Sequence, residues 1–308
     1  MILHNKRHSR HLREYSKQLP ITQGDGNQSS NSHDDGKRLS KTQNDGNQSP
    51  NSQDGKMVYK SLTDAPRNIK ECMDWLIALR GKDGEKNLKA FGEAIYKFLA
   101  YKPVGKMEVP ALEDVKRISK QFMEQKELKD LLPIDWVLRK FSDRIDKTSI
   151  FYRYFGAVTK SECDNVIQTK GITADDIAKD LVKVVDSCDK FLKHMKIPDQ
   201  YKSAYSSKAT WAKSCALDPE SCAVVLVGIA PMLYAGLSAF FSAWRYAFFR
   251  CPPFIAYNRM REMLKALGFV EPECRASPRT SDVYSALSRL KDHELYTVYD
   301  LSGFWAFY

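Results

Sequence analysis

The sequence has few of the side chains that carry catalysis. Of its six histidines, His4, His8, His11 and His33 lie in a polar N-terminal stretch. His194 sits beside lysines, and His293 lies between Asp292 and Glu294, positions that predict surface residues. There is no glycine-rich phosphate loop, no dinucleotide fingerprint, no zinc-protease helix motif and no nucleophile elbow. The seven cysteines (Cys72, Cys163, Cys188, Cys215, Cys222, Cys251 and Cys274) form no C-x-x-C pair, which removes the usual zinc and thioredoxin-type spacings. Acidic pairs such as Asp175-Asp176 fall where a helix N-terminus already explains them. No catalytic, cofactor-binding or metal-binding residue is therefore assigned, and no enzyme is expected.

Charge of one sign is also not concentrated anywhere. The formal charge is +10, with nine basic and six acidic residues in Met1–Lys56 and 39 against 32 in the remainder. Such interleaving belongs to solvated helix faces and argues against a nucleic-acid partner. The basic opening, residues 1–17, is not followed by an apolar segment of signal-peptide length. Alternation with period two and hairpin turns are scarce, so strands are not expected.

Two regions of different composition are present. Residues 18–56 are rich in Gln, Asn, Asp, Gly and Ser and hold a duplicated polar unit, Thr22–Ser29 and Thr42–Ser49. Composition of this kind cannot bury enough apolar surface to offset ordering entropy, so 1–56 is expected to be a disordered tail. From Met57 the chain becomes globular, with 57–308 read as a helical module, as one body or as two subdomains of about 57–165 and 166–308.

Apolar residues recur at helical spacing in that module. The stripes are Ile69–Leu79, after a helix start read at Asp64-Ala65-Pro66; Leu88–Leu99; and Leu112, Val115, Ile118, Phe122 and Met123. Trp136, Leu138, Phe141 and Ile145 are expected in the core of a less regular stretch. A capping box at Thr173 and Asp176, with Ile172 and Ile177 at staple positions, predicts a helix running to Met195. Further helices are expected at 257–267, closed by Gly268, at 282–290, and from Glu294 to Leu301. The fold class is all-α: an irregular multi-helix bundle behind a polar tail.

Its centre is expected to be the uncharged run 221–244, preceded by Asp218 as N-cap and Pro219 in the first turn. The run exceeds the ~20 residues that span a bilayer. Arg245 and Arg250 follow it on what would be the cytoplasmic side. Two readings stand, a central core helix and a membrane anchor. The first is preferred because Pro231, Gly228, Gly236, Ser238 and Ser242 interrupt the run, and because amphipathic helices on both sides need a shared partner. Cys215 and Cys222 flank Asp218-Pro219, a turn able to bring the two sulfurs together.

Three sets of strings carry a family resemblance. They are Leu62–Glu71 with Asp74-Trp75-Leu76 and Gly81–Gly84; Cys215–Leu237; and Tyr299–Tyr308. Together they resemble the N-terminal module of multigene families of piroplasm (Babesia-type) blood parasites, akin to variant erythrocyte surface antigens. The resemblance covers about 57–308. It implies a helical, non-catalytic, antigen-like apicomplexan protein, exported or at the infected-cell surface and often without a conventional signal peptide; it transfers no binding residue, and the partner, a protein among the candidates, stays open. The resembling modules carry both Cys215 and Cys222, which implies a disulfide in an oxidising compartment. The polar tail is foreign to that module, and its members usually continue past the Phe-Trp-Ala-Phe-Tyr string, so this chain reads as a truncated copy or an incomplete gene model.

Overall fold

The computed structural model describes residues 58–142, 160–250, 253–276 and 292–308. Met57–Tyr308 forms one compact unit, and its buried apolar side chains make a single cluster extending from Tyr59 to Tyr308. The described residues are all-α; they contain no strand, only isolated bridges joining Tyr59 to Tyr205 and Lys196 to Cys274.

Helix α1, Ile69–Arg80, begins five residues after the turn Ser61–Asp64. The start read at Asp64 is corrected by hydrogen bonding. The Asp64 carboxylate accepts from the backbone of Lys60 and Ser61 (3.3 and 3.1 Å), which closes a preceding turn. Asn68 caps the helix instead, its side-chain oxygen accepting from the Glu71 amide at 2.9 Å. Gly81, at φ +57°, ends it. Helix α2, Gly84–Leu99, buries the whole expected stripe from Leu88 to Leu99. Helix α3, Pro110–Met123, buries Leu112, Val115, Phe122 and Met123 of its expected stripe. Ile118 is only half-buried, whereas Lys116 and Ser119 point inward, where each finds an acceptor.

Helix α4, Ile134–Ser142, buries Ile134 and Val137, while Trp136, Leu138 and Phe141 pack at the margin of the core; Ile145 lies outside the described residues. Two short turns, α5 (Lys160–Cys163) and α6 (Val166–Thr169), lead to α7, Ala174–Met195. The capping box of α7 is formed on both sides: the Asp176 amide donates to Thr173 Oγ1 (3.2 Å) and the Thr173 amide to the Asp176 carboxylate (3.1 Å). After α8, Trp211–Ser214, comes α9, Pro219–Arg250, a continuous helix of 32 residues with Pro231 inside it. Helix α10, Pro253–Ala266, starts one turn before the expected position and is followed by Gly268 at φ +95°. A Cβ on Gly268 would lie 2.5 Å from the Asn68 side-chain oxygen, so this position must stay bare for α1 to keep its cap. The helix expected at 282–290 lies outside the described residues. Helix α11, Asp292–Asp300, and the short α12, Phe304–Phe307, end the chain.

The long helix α9 is the hub. It packs against α1, α2, α3, α4, α10 and α11, while α7 lies across α1, α2 and α11. Small residues set the closest approaches. A Cβ on Gly228 would meet Val115 Cγ1 at 2.5 Å, and one on Gly236 would meet Ile69 Cδ1 at 2.4 Å. At the first crossing the Ser119 hydroxyl donates to the Gly228 carbonyl at 2.6 Å, which explains why α3 turns a polar residue inward. Each fully buried Leu, Ile, Val or Phe on these faces contributes roughly 1.5–3 kcal/mol. The apolar run therefore has a solvent already: the stripes of its neighbours.

Candidate functional site

The places where polar chemistry concentrates are buried clusters, each built between elements distant in sequence. The largest centres on Lys70 and Asp74 of α1, both almost fully buried. Lys70 Nζ lies 2.9 Å from Asp74 Oδ2, donates to the Lys202 carbonyl at 2.6 Å and sits 3.7 Å from the Glu273 carboxylate. Asp74 also accepts from the Tyr201 hydroxyl and from the Ala204 amide (2.9 Å). Burial, reinforced by the Asp74 charge, raises the Tyr201 pKa far above its ordinary value. The Tyr201 ring takes a second ammonium, with Lys70 Nζ and Lys196 Nζ each 4.5 Å from its centroid. The lysine, the aspartate and the tyrosine hydroxyl are thus each engaged by the fold itself.

Three smaller clusters follow the same pattern. Glu162 accepts from the Tyr299 hydroxyl (2.8 Å) and from Lys140 (3.1 Å). Asp180 accepts from Thr297 Oγ1 (2.7 Å) and Lys183 (2.9 Å) and lies 3.3 Å from His293 Nε2, while Lys183 also reaches Glu294 at 3.3 Å. Lys116 donates to the Phe307 carbonyl at 2.6 Å and faces the Tyr308 ring at 4.5 Å. Asn165 adds a neutral clamp, donating to the carbonyls of Leu99, Ala100 and Lys102.

The residues singled out in the sequence fall as follows. Cys215 and Cys222 are joined by a disulfide, with Cα atoms 5.8 Å apart, inside the usual range for such bridges. The bridge closes the turn that leads into α9. There the Ser221 amide donates to Asp218 at 3.3 Å, and the hydrogen bonds from Ser221 hold the Asp218 carboxyl below its ordinary pKa. Leu217 stands fully exposed at the tip of the turn. Cys72, Cys163, Cys188 and Cys274 are buried thiols. Desolvation pushes Cys188 up to about 12 and Cys72 well above its usual value, so neither presents a thiolate near neutral pH. His293 is exposed, and the His194 carbonyl accepts from Arg275 at 3.1 Å. Asp300 is buried and paired with Lys170. Among the described residues no group of His, Cys, Asp or Glu is placed to hold a metal ion.

Sequence reasoning missed the Lys70 cluster. Its signal was present: a lysine and an aspartate four apart on a stripe that also holds Ile69, Cys72 and Met73. Charged residues interleaved with an apolar face at i and i+4 can be buried together. Their partners, Lys202 and Glu273, were beyond reach of any local pattern.

These features define the class: an all-α module built round a buried apolar helix, with its interior polar groups engaged in packing. Compared with known protein families, with curated proteins and with solved structures, the chain matches none.

Proposed function

We propose that this chain is a non-enzymatic, antigen-like interaction module of a parasite multigene family, exported or displayed at the infected-cell surface and engaging a protein partner. The observation that carries the reading is the Cys215–Cys222 disulfide, which lies within one of the strings that resemble such modules. Disulfides persist in oxidising compartments and are rare in the cytosol. The absence of enzymatic chemistry is supported by the way Lys70, Asp74, Tyr201, Glu162 and Asp180 are consumed by structural partners. The test is thiol trapping followed by mass spectrometry on protein from infected cells, with antibody labelling of unpermeabilised cells. A protected Cys215–Cys222 pair with surface labelling is expected. Two free thiols in an unlabelled cytosolic pool overturn the proposal.

A second reading, an integral membrane protein anchored by residues 221–244, is favoured by one feature: α9 is long and apolar enough to cross a bilayer. Against it, 89 % of its most apolar window is buried inside the fold. Ala230 and Ala235 are both fully buried, so Arg at either should misfold the protein as a whole if α9 is core. A folded soluble portion that no longer integrates into membranes would select the anchor instead.

A further inference from the structure

The connection between α2 and α3 is exposed, yet the fold holds it firmly. Asn165 donates to the carbonyls of Leu99, Ala100 and Lys102 (3.3, 3.0 and 3.0 Å), and the Trp305 indole donates to the Lys102 carbonyl at 3.4 Å. Further along, the Gly105 amide donates to the Trp305 carbonyl (2.9 Å) and the Met107 amide to the Ala306 carbonyl (2.7 Å). These bonds use one edge of the segment. On the other edge the amides of Val104, Lys106 and Glu108 donate to no acceptor among the described residues. Alternation of this kind is that of a strand paired on one side and open on the other. A Cβ on Gly105 would meet nothing within 4 Å, so the space beside the segment is clear.

The segment also shows apolar surface to solvent. Six large apolar side chains are exposed among the described residues, and Tyr101 (80 %) and Val104 (37 %) are the only two close together in the chain. Pro103, between them, is exposed as well. Tyrosine is a frequent anchor of protein interfaces, because its rigid ring supplies contact area at low entropy cost. The charge around it has one sign: residues 94–107, up to Glu108, hold Lys97, Lys102 and Lys106 and no acid. None of these three lysines pairs with an acid among the described residues. Lys97 stands one helical turn before Tyr101, and both Lys97 and Lys106 are exposed.

We infer that Tyr101–Glu108 is a docking edge for an acidic, extended segment of a protein partner, which adds to the open amides as a strand and seats its apolar side chains on Tyr101 and Val104. Strand addition takes affinity from main-chain hydrogen bonds and selectivity from the side chains beside them. Here the selectivity is for acids, which the three lysines complement. A second copy of the chain fits less well, because a two-fold pairing would set these lysines against one another. The inference rests on the proposed function for the existence of a protein partner, and it names the surface that meets it.

The test is selection of short random peptides, displayed on phage, against the immobilised full chain, followed by binding of the selected peptides in solution. Enriched sequences should carry acids among β-forming residues and no proline. They should bind Tyr101→Ser about tenfold more weakly, and Lys97→Glu with Lys106→Glu about fivefold more weakly, with the preference for acids fading in high salt. Both variants should melt with the wild type, because these side chains are exposed. Bound peptide should slow hydrogen exchange at the amides of Val104, Lys106 and Glu108 by about tenfold or more. Three results overturn the inference: no enriched peptide, wild-type binding by Tyr101→Ser, or binding that leaves those three amides unprotected. A dimer that Tyr101→Ser dissolves would assign the edge to a second copy and overturn it too. The two proposals fail separately. A surface-labelled, disulfide-bonded protein that selects no peptide overturns the docking edge alone, whereas free thiols in an unlabelled pool overturn the proposed function and do not alter peptide binding by the purified chain.

Discussion

Replacing Lys70 by Met should be among the most damaging single changes in the protein. The side chain is almost wholly buried, and its ammonium is the nearest cation to the Asp74 carboxylate, at 2.9 Å. Methionine matches the volume of the lysine stem, so the loss is mainly electrostatic. Asp74 would keep the Tyr201 hydroxyl and the Ala204 amide but lose its counter-charge, and the Lys202 carbonyl would lose its donor. Stranding one member of a buried pair costs about 3–5 kcal/mol. That is a large part of a total stability of about 5–15 kcal/mol. For a unit of this size the melting temperature should fall by about 10 °C. Asp74→Leu alone should cost a similar amount, because it strands Lys70. The double variant removes both charges together and should cost clearly less than the sum, a coupling of about 2 kcal/mol or more. The assay is urea denaturation followed by tryptophan fluorescence, with Trp75, buried on the same helix, among the reporters. A Lys70→Met cost under about 1 kcal/mol, or strictly additive single costs, would refute the reasoning.

Further changes test other levels of the structure. Thr173→Ala should cost about 1 kcal/mol by removing one side of the capping box of α7, and Thr173→Ser should restore most of it; an unchanged denaturation midpoint in the alanine variant counts against the cap. Gly228→Ala should cost about 1–3 kcal/mol, because its Cβ would lie 2.5 Å from Val115 Cγ1, and Val115→Ala in the same chain should recover part of the loss; independent effects would mean the helices do not meet there. Asp189 is held below the ordinary carboxylate range: burial would raise it, but its hydrogen bonds and ion pairs with Arg80 and Lys193 outweigh that. A depressed folded pKa gives stability that is present above the unfolded value of about 3.9 and is lost as pH falls through the folded one. Asp176 and Asp218, lowered by bonds from Thr173 and Ser221, act with the same sign. The denaturation midpoint should therefore fall more steeply below about pH 4 in wild type than in Asp189→Asn; a midpoint that rises on acidification would contradict it.

Local sequence determined a good deal. The helical stripes of α1, α2 and α7 are buried along the faces their spacing implied, because a period of 3.6 residues leaves little choice of face. The capping box at Thr173, the stop at Gly81 and the cap-proline pair at Asp218-Pro219 were legible because each uses chemistry within a few residues. What the sequence left open was decided by tertiary contacts. The run 221–244 satisfied the length rule for a bilayer and also had the composition of a core helix; in the structure six neighbouring helices pack against it, and Gly228 and Gly236 set two close approaches. Asn68 displaced Asp64 as the cap of α1 because Asp64 was already engaged by its own turn. Helix α3 turned Lys116 and Ser119 inward because carbonyls from α9 and from Phe307 waited there, partners 109 and 191 residues away in sequence. A buried polar group is tolerated only where an acceptor exists. Which acceptor comes within reach is a property of the assembled fold, and no local pattern encodes it.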